Sequence, residues 1–222
     1  MNGKFVKLTG GAIIVALLTM GCSMSPSMTH AMSGSMPATS ATKAADLRTG
    51  LNALLGEHVY LAAAATNAAL GGRQAEFEAA AGALDANSVD ISKAIGSVYG
   101  ADAEKAFLPL WRRHIGFFVD YTVGVATKDS AKQDKAVNDL VGYTQDFGAF
   151  LSSTNPNLPK QVVADLVKTH VLTLKDVVDA QAAKDQVKAN KALRTAYSHM
   201  AMIADPLAEA IVKQFSSRYA AQ

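Results

Sequence analysis

The chain has 222 residues, of which half are hydrophobic, 7% aromatic and 18% charged, so a sizeable core can form and global disorder is excluded. The formal charge of +2 includes Lys4 and Lys7, and without those two the basic and acidic side chains are equal at 19, which leaves no basic excess for a nucleic-acid partner. A single cysteine excludes an internal disulfide framework and a cysteine-rich zinc site.

Met1 to Lys7 carries positive charge, and Leu8 to Met20 is apolar but too short to span a bilayer comfortably. Gly21-Cys22 follows. A small residue before a lone cysteine at the end of such a stretch resembles the lipobox of bacterial lipoproteins, although Thr19 stands where that motif favours Leu. The resemblance implies cleavage after residue 21 and acylation of Cys22. The expectation is an exported chain, anchored by lipid to the extracytoplasmic side of the bacterial membrane.

Residues 22–44 are rich in Ser, Thr, Pro and Ala, a composition that cannot bury a core and predicts a tether. Met24, Met28, Met32 and Met36 recur every fourth residue there, with His30 among them. Thioethers and imidazole are suitable ligands for Cu(I), so the tether is a candidate copper site. The plainer reading is a low-complexity spacer.

Residues 45–218 read as six helices in three hairpins, with 219–222 as a tail. Leu47, Leu51, Leu54, His58, Leu61 and Ala65 share one helix face, and Gly71-Gly72 breaks that helix. A return helix runs from about Gln74 to Val98. The second hairpin carries Phe107, Leu110, His114, Phe117 and Tyr121, turns near Lys128-Asp129, and returns through Val137, Leu140, Tyr143, Phe147 and Leu151. Asn155-Pro156-Asn157-Leu158-Pro159 is a connector, because Pro denies the backbone a donor. The third hairpin carries Val163, Leu166, His170 and Val177 and turns near Lys184-Asp185. Asp205-Pro206 should kink the last helix or start a new one.

His58, His114 and His170 are each 56 residues apart, and the same shift aligns Leu54, Leu110 and Leu166, and Lys128-Asp129 with Lys184-Asp185. This predicts an internal repeat and an all-α, up-down helical bundle of three hairpins. The shift also aligns Asn87, Tyr143 and His199 on the return helices. The resulting expectation is a polar layer of three hydrogen-bonded pairs, one per hairpin: His58 with Asn87, His114 with Tyr143, and His170 with His199. The plainer role is to fix register. The sharper one is a metal site at His170 and His199, with Met200 or Met202 nearby.

Familiar catalytic patterns are absent from the sequence. It has no Glu-x-x-His pair for a di-iron bundle, no covalent haem motif, no zinc-protease motif, no phosphate-binding glycine loop and no nucleophile elbow. Arg112-Arg113 beside Trp111 reads either as an anion or partner patch or as a solvated face.

The strings Leu84-Asp85-Ala86-Asn87-Ser88-Val89-Asp90, Ala94 to Gly100, Trp111 to Tyr121, Asn155 to Pro159 and His199-Met200 resemble a bacterial helical-repeat domain of secreted or lipid-anchored proteins. Some relatives carry it fused to a copper amine oxidase N-terminal-type domain, whose name then passes to the whole protein. The resemblance spans about residues 45–218 and implies no established activity. The chain has neither an Asn-Tyr-Asp/Glu quinone-precursor motif nor a His-x-His copper pair, so amine oxidase chemistry is not expected. The leading functional expectation is a non-catalytic, lipid-anchored envelope module with a structural or interaction role, for which an envelope protein is a candidate partner and no cofactor is expected. The alternative is an envelope copper-binding protein, and a third is an enzyme of unknown class.

Overall fold

A computed structural model describes residues 42–220. The leader, Cys22, and the tether candidates Met24, Met28, His30, Met32 and Met36 lie outside the described residues. Six long helices run in sequence: α1 Lys43–Leu70, α2 Gln74–Tyr99, α3 Ala101–Thr127, α4 Ser130–Thr154, α5 Lys160–Ala182 and α6 Gln186–Gln214, followed by the single turn α7 Ser216–Tyr219. There is no strand among the described residues, and the helices form the expected all-α, up-down bundle. None of the described helices is long and apolar enough to cross a membrane.

Local chemistry sets where the helices start and stop. Thr42, Asp129 and Asp185 each accept a hydrogen bond from the backbone N–H three residues on, at 3.1, 3.0 and 2.9 Å, which satisfies donors left free at a helix start. The turns within the hairpins share one geometry. Gly72, Lys128 and Lys184 have φ of 67°, 57° and 57°. In each turn the next residue donates to a carbonyl five back: Arg73 to Ala68, Asp129 to Gly124 and Asp185 to Ala180. That is the Schellman closure of a helix C-terminus, and it needs a left-handed residue at that point. The first hairpin supplies Gly, whereas the other two use Lys.

Asp205-Pro206 starts no new helix, because α6 continues through Pro206. Leu207, Ala208, Ala210 and Ile211 beyond it are buried and anchor the second half in the core. Asp205 also accepts from the Asn52 side chain at 2.8 Å, which ties this point to α1.

Each helix packs on its neighbour in sequence, and α6 packs back on α1, closing the ring. The first helix of each hairpin, α1, α3 and α5, also touches the other two. Small residues permit this approach: Ala62, Ala63, Ala65 and Ala68 of α1 are buried, and a Cβ on Gly148 of α4 would meet the Lys160 carbonyl of α5 at 2.5 Å. Asn155 locks the connector between α4 and α5. It is fully buried, donates to the Tyr99 hydroxyl at 2.9 Å, and accepts from the Asn157 backbone and side chain at 2.9 and 3.1 Å. Arg218 donates to the Val98 and Ser97 carbonyls, capping α2 from the chain's far end.

Candidate metal centre

The three evenly spaced histidines sit on the inner faces of α1, α3 and α5, and ring closure brings them to one place. His58 Nε2 and His114 Nε2 are 3.4 Å apart. The His58 ring centroid lies 5.3 Å from that of His114 and 5.7 Å from that of His170, and all three rings are buried. One nitrogen from each ring can be chosen so that the three lie within 4.8 Å of one another.

This arrangement corrects the pairing expected from the sequence. Asn87 does not bond His58; its side-chain amide donates to the Leu54 carbonyl at 3.0 Å and to Glu57 at 2.8 Å. Tyr143 stacks on the His114 ring with centroids 5.0 Å apart, but its hydroxyl has no partner. His199 Nε2 donates to the Leu166 carbonyl at 2.8 Å, turning away from a bond to His170. The physical reason is depth. In a closed ring of hairpins the first helices face the axis, so their histidines meet each other, while Asn87 and His199 on the return helices reach the backbone four residues before the histidine. The expected His170/His199 metal pair is therefore divided: His170 joins the central three, and His199 faces a groove between α5 and α6.

The centre is polar and short of partners. Nδ1 of His58, His114 and His170, Nε1 of Trp111, the Tyr143 hydroxyl and Oδ1 of Asn87 are buried without a hydrogen-bond partner. Native cores rarely leave such atoms unpaired, so their clustering marks a place with a use for lone pairs and donors. Trp111 packs edge-on to His114 with centroids 4.6 Å apart and lies 4.9 Å from His58. Leu51, Leu55, Phe107, Phe147 and Val171 complete the apolar shell.

Burial disfavours the charged imidazolium and holds all three rings neutral. His58 lies well below its ordinary value, from burial and from the nearby His114. Burial, reinforced by the charge of His170, lowers His114 to about 3. Burial, with His58 and His199 adding, likewise lowers His170 to about 3. Burial raises the Tyr143 hydroxyl well above its ordinary value, so it remains a phenol.

Neutral imidazoles with free lone pairs are metal ligands, and the geometry fits. Two nitrogens each bound at about 2.0–2.1 Å to one tetrahedral ion stand roughly 3.4 Å apart. The Nε2 atoms of His58 and His114, which share a hydrogen bond in the metal-free protein, already stand at that separation, and a nitrogen of His170 can be chosen within 4.8 Å of the other two rings. A cavity of about 40 Å³ beside the rings is lined by His114, His170, Trp111, Tyr143 and Met200. A second, of about 20 Å³, is lined by His58, His114 and His170 with apolar side chains. Each has room for an ion or one small ligand. The three histidines could hold a metal, and among the described residues no carboxylate joins them.

The Arg112-Arg113 pair is not a free anion patch. Arg112 makes a bidentate contact with Asp85 at 2.7 and 2.8 Å, and Arg113 bonds Asp146 at 2.5 Å. These exposed pairs tie α3 to α2 and α4 and contribute little to stability. Comparison with protein-family models, curated proteins and solved structures finds no match, so the functional reading rests on the chemistry of the three histidines.

Proposed function

We propose that the protein is an envelope metal-binding module that holds one copper ion, as Cu(I), between His58, His114 and His170. The observation that carries this reading is the meeting of three buried, neutral imidazoles, one nitrogen from each lying within 4.8 Å of the others. The ligand set is uncharged and the surroundings are apolar. A divalent ion would bring two positive charges into the core with no anion beside them, which is costly. A monovalent, soft ion halves that charge and accepts three nitrogens, and the Met200 thioether lines the same cavity as His114 and His170.

The expected export and lipid anchor are part of this proposal, resting on the leader and Gly21-Cys22. Cys22→Ala should release the protein from membranes, and unchanged membrane fractionation would sink the anchor. A structural polar layer in a non-catalytic interaction module is the second reading. The hydrogen bonds of Asn87 and His199 to backbone carbonyls favour it, because they fix the register of two hairpins.

The test is an anaerobic titration of purified protein with Cu(I) presented as its bicinchoninate complex. One equivalent should be taken up, with a change in the emission of Trp111, the only tryptophan in the chain. A variant lacking Met24 to Met36 should still take up that equivalent, and a folded His114→Leu variant should not. No stoichiometric uptake by the intact protein, or unchanged uptake by His114→Leu, rules out the centre.

A further inference from the structure

The His199-Met200-Ala201-Met202 segment of α6 offers soft ligands on two sides of one helix. Met200 is buried and lines the central cavity with His114 and His170. His199 and Met202, three residues apart and so on one face, line an open groove of about 1010 Å³ between α5 and α6. Thr169, Thr173, Asn190, Lys191 and Arg194 also line that groove and no acidic side chain does, so an ion there would be held by its soft donors alone, against two cationic side chains.

His199 is set up as a ligand. Its side chain is mostly buried, leaving the residue 7% exposed, and its Nε2 bonds the Leu166 carbonyl at 2.8 Å. A carbonyl oxygen only accepts, so Nε2 carries the proton and the neutral ring keeps its lone pair on Nδ1. A backbone carbonyl that fixes tautomer and ring orientation is the support metal-binding histidines usually have. Met202 is 59% exposed, and its thioether is reachable from solvent. Met200, the next residue in α6, lines the central cavity, so neighbouring positions of one helix serve groove and centre.

We propose that His199 Nδ1 and Met202 Sδ form a loading site for Cu(I) in this groove, from which the ion passes Met200 to the three-histidine centre. The step is ligand exchange at a monovalent ion: each nitrogen or sulfur contact released is replaced by another, with no change in oxidation state. This inference rests on the copper reading of the centre and adds the route to it.

The experiment follows transfer of Cu(I) from its bicinchoninate complex to the full chain, recording both rate and final stoichiometry. Met202→Leu keeps the shape of an exposed side chain, and His199→Gln keeps an N–H donor for the Leu166 carbonyl. Circular dichroism and melting temperature establish that each variant is folded. Each should slow transfer by at least about tenfold, the scale on which the support around metal ligands acts, while one equivalent still binds at equilibrium. Unchanged rates would overturn the loading site and leave the centre standing. Loss of the final equivalent in either variant would also overturn it, because His199 or Met202 would then belong to the storage site itself. Failure of the unaltered protein to take up Cu(I) would remove the centre and the loading site together.

Discussion

Two kinds of buried polar residue occupy this core, and their hydrogen bonds separate them. Asn155 is fully buried with its amide donating and its carbonyl accepting, so it is structural in the ordinary sense. Asn155→Ala strands the Tyr99 hydroxyl and frees the connector, and should cost about 2–3 kcal/mol in urea unfolding. His58, His114 and His170 are as deeply placed but leave their Nδ1 atoms without partners. Replacing one with an apolar side chain of similar size removes the cost of burying a polar ring and gives up only a long imidazole–imidazole contact, 3.4 Å between His58 and His114. His114→Leu should therefore stabilise the metal-free protein by about 1–2 kcal/mol while abolishing copper uptake, a trade of function for stability. If His114→Leu instead lowers stability by a similar amount, the rings are serving as a structural layer. The histidines themselves were legible in the sequence, since each lies on an apolar stripe. Their partners were not: periodicity gives the face a residue occupies, but not whether that face meets the neighbouring helix or the axis of the molecule. The signal that could have found the centre was the equal 56-residue spacing, which sets the three at similar heights in successive hairpins.

At the level of elements the reading from sequence was closer, because turns are local chemistry. Gly71-Gly72, Lys128-Asp129 and Lys184-Asp185 mark the three hairpin turns, and all three close with the same hydrogen bonds. The sequence did not reveal that Lys128 and Lys184 adopt a left-handed backbone, which costs a side-chain-bearing residue about 1 kcal/mol where glycine is free of it. Lys128→Gly should recover about 0.5–1 kcal/mol, visible as a higher urea midpoint with an unchanged slope. Gly72→Lys should do the reverse. Asp205-Pro206 starts no new helix for the opposite reason. Pro is a local breaker, but burial of Leu207, Ala208, Ala210 and Ile211 overrides it, and α6 continues. The final closure of α6 on α1 has no local signature either, and it is this closure that turns three hairpins into an enclosed site.

The whole molecule keeps three ionisable rings neutral, and this gives its stability a definite dependence on pH. In the unfolded chain histidines titrate near 6.5, whereas burial lowers His114 and His170 to about 3 and His58 well below its ordinary value. Above about pH 6.5 neither state binds these protons, and their contribution is flat. Between about 6.5 and 3 the unfolded chain binds more protons than the folded one, so stability falls as pH is lowered through that window. The limiting slope is about 1.4 kcal/mol per pH unit for each ring. The metal-free protein should thus lose melting temperature steadily from pH 6.5 downward, and His114→Leu should show a shallower fall because one ring no longer takes part. Cu(I) bound to the folded state alone should raise stability at pH 7 by about 2.7 kcal/mol at a free concentration one hundred times the dissociation constant. Differential scanning calorimetry at pH 7 and 5, with and without one equivalent of Cu(I), measures both effects on one sample. A melting temperature indifferent to acid would mean that the rings are already protonated or solvated when folded. One indifferent to Cu(I) would mean that the folded centre does not hold the ion.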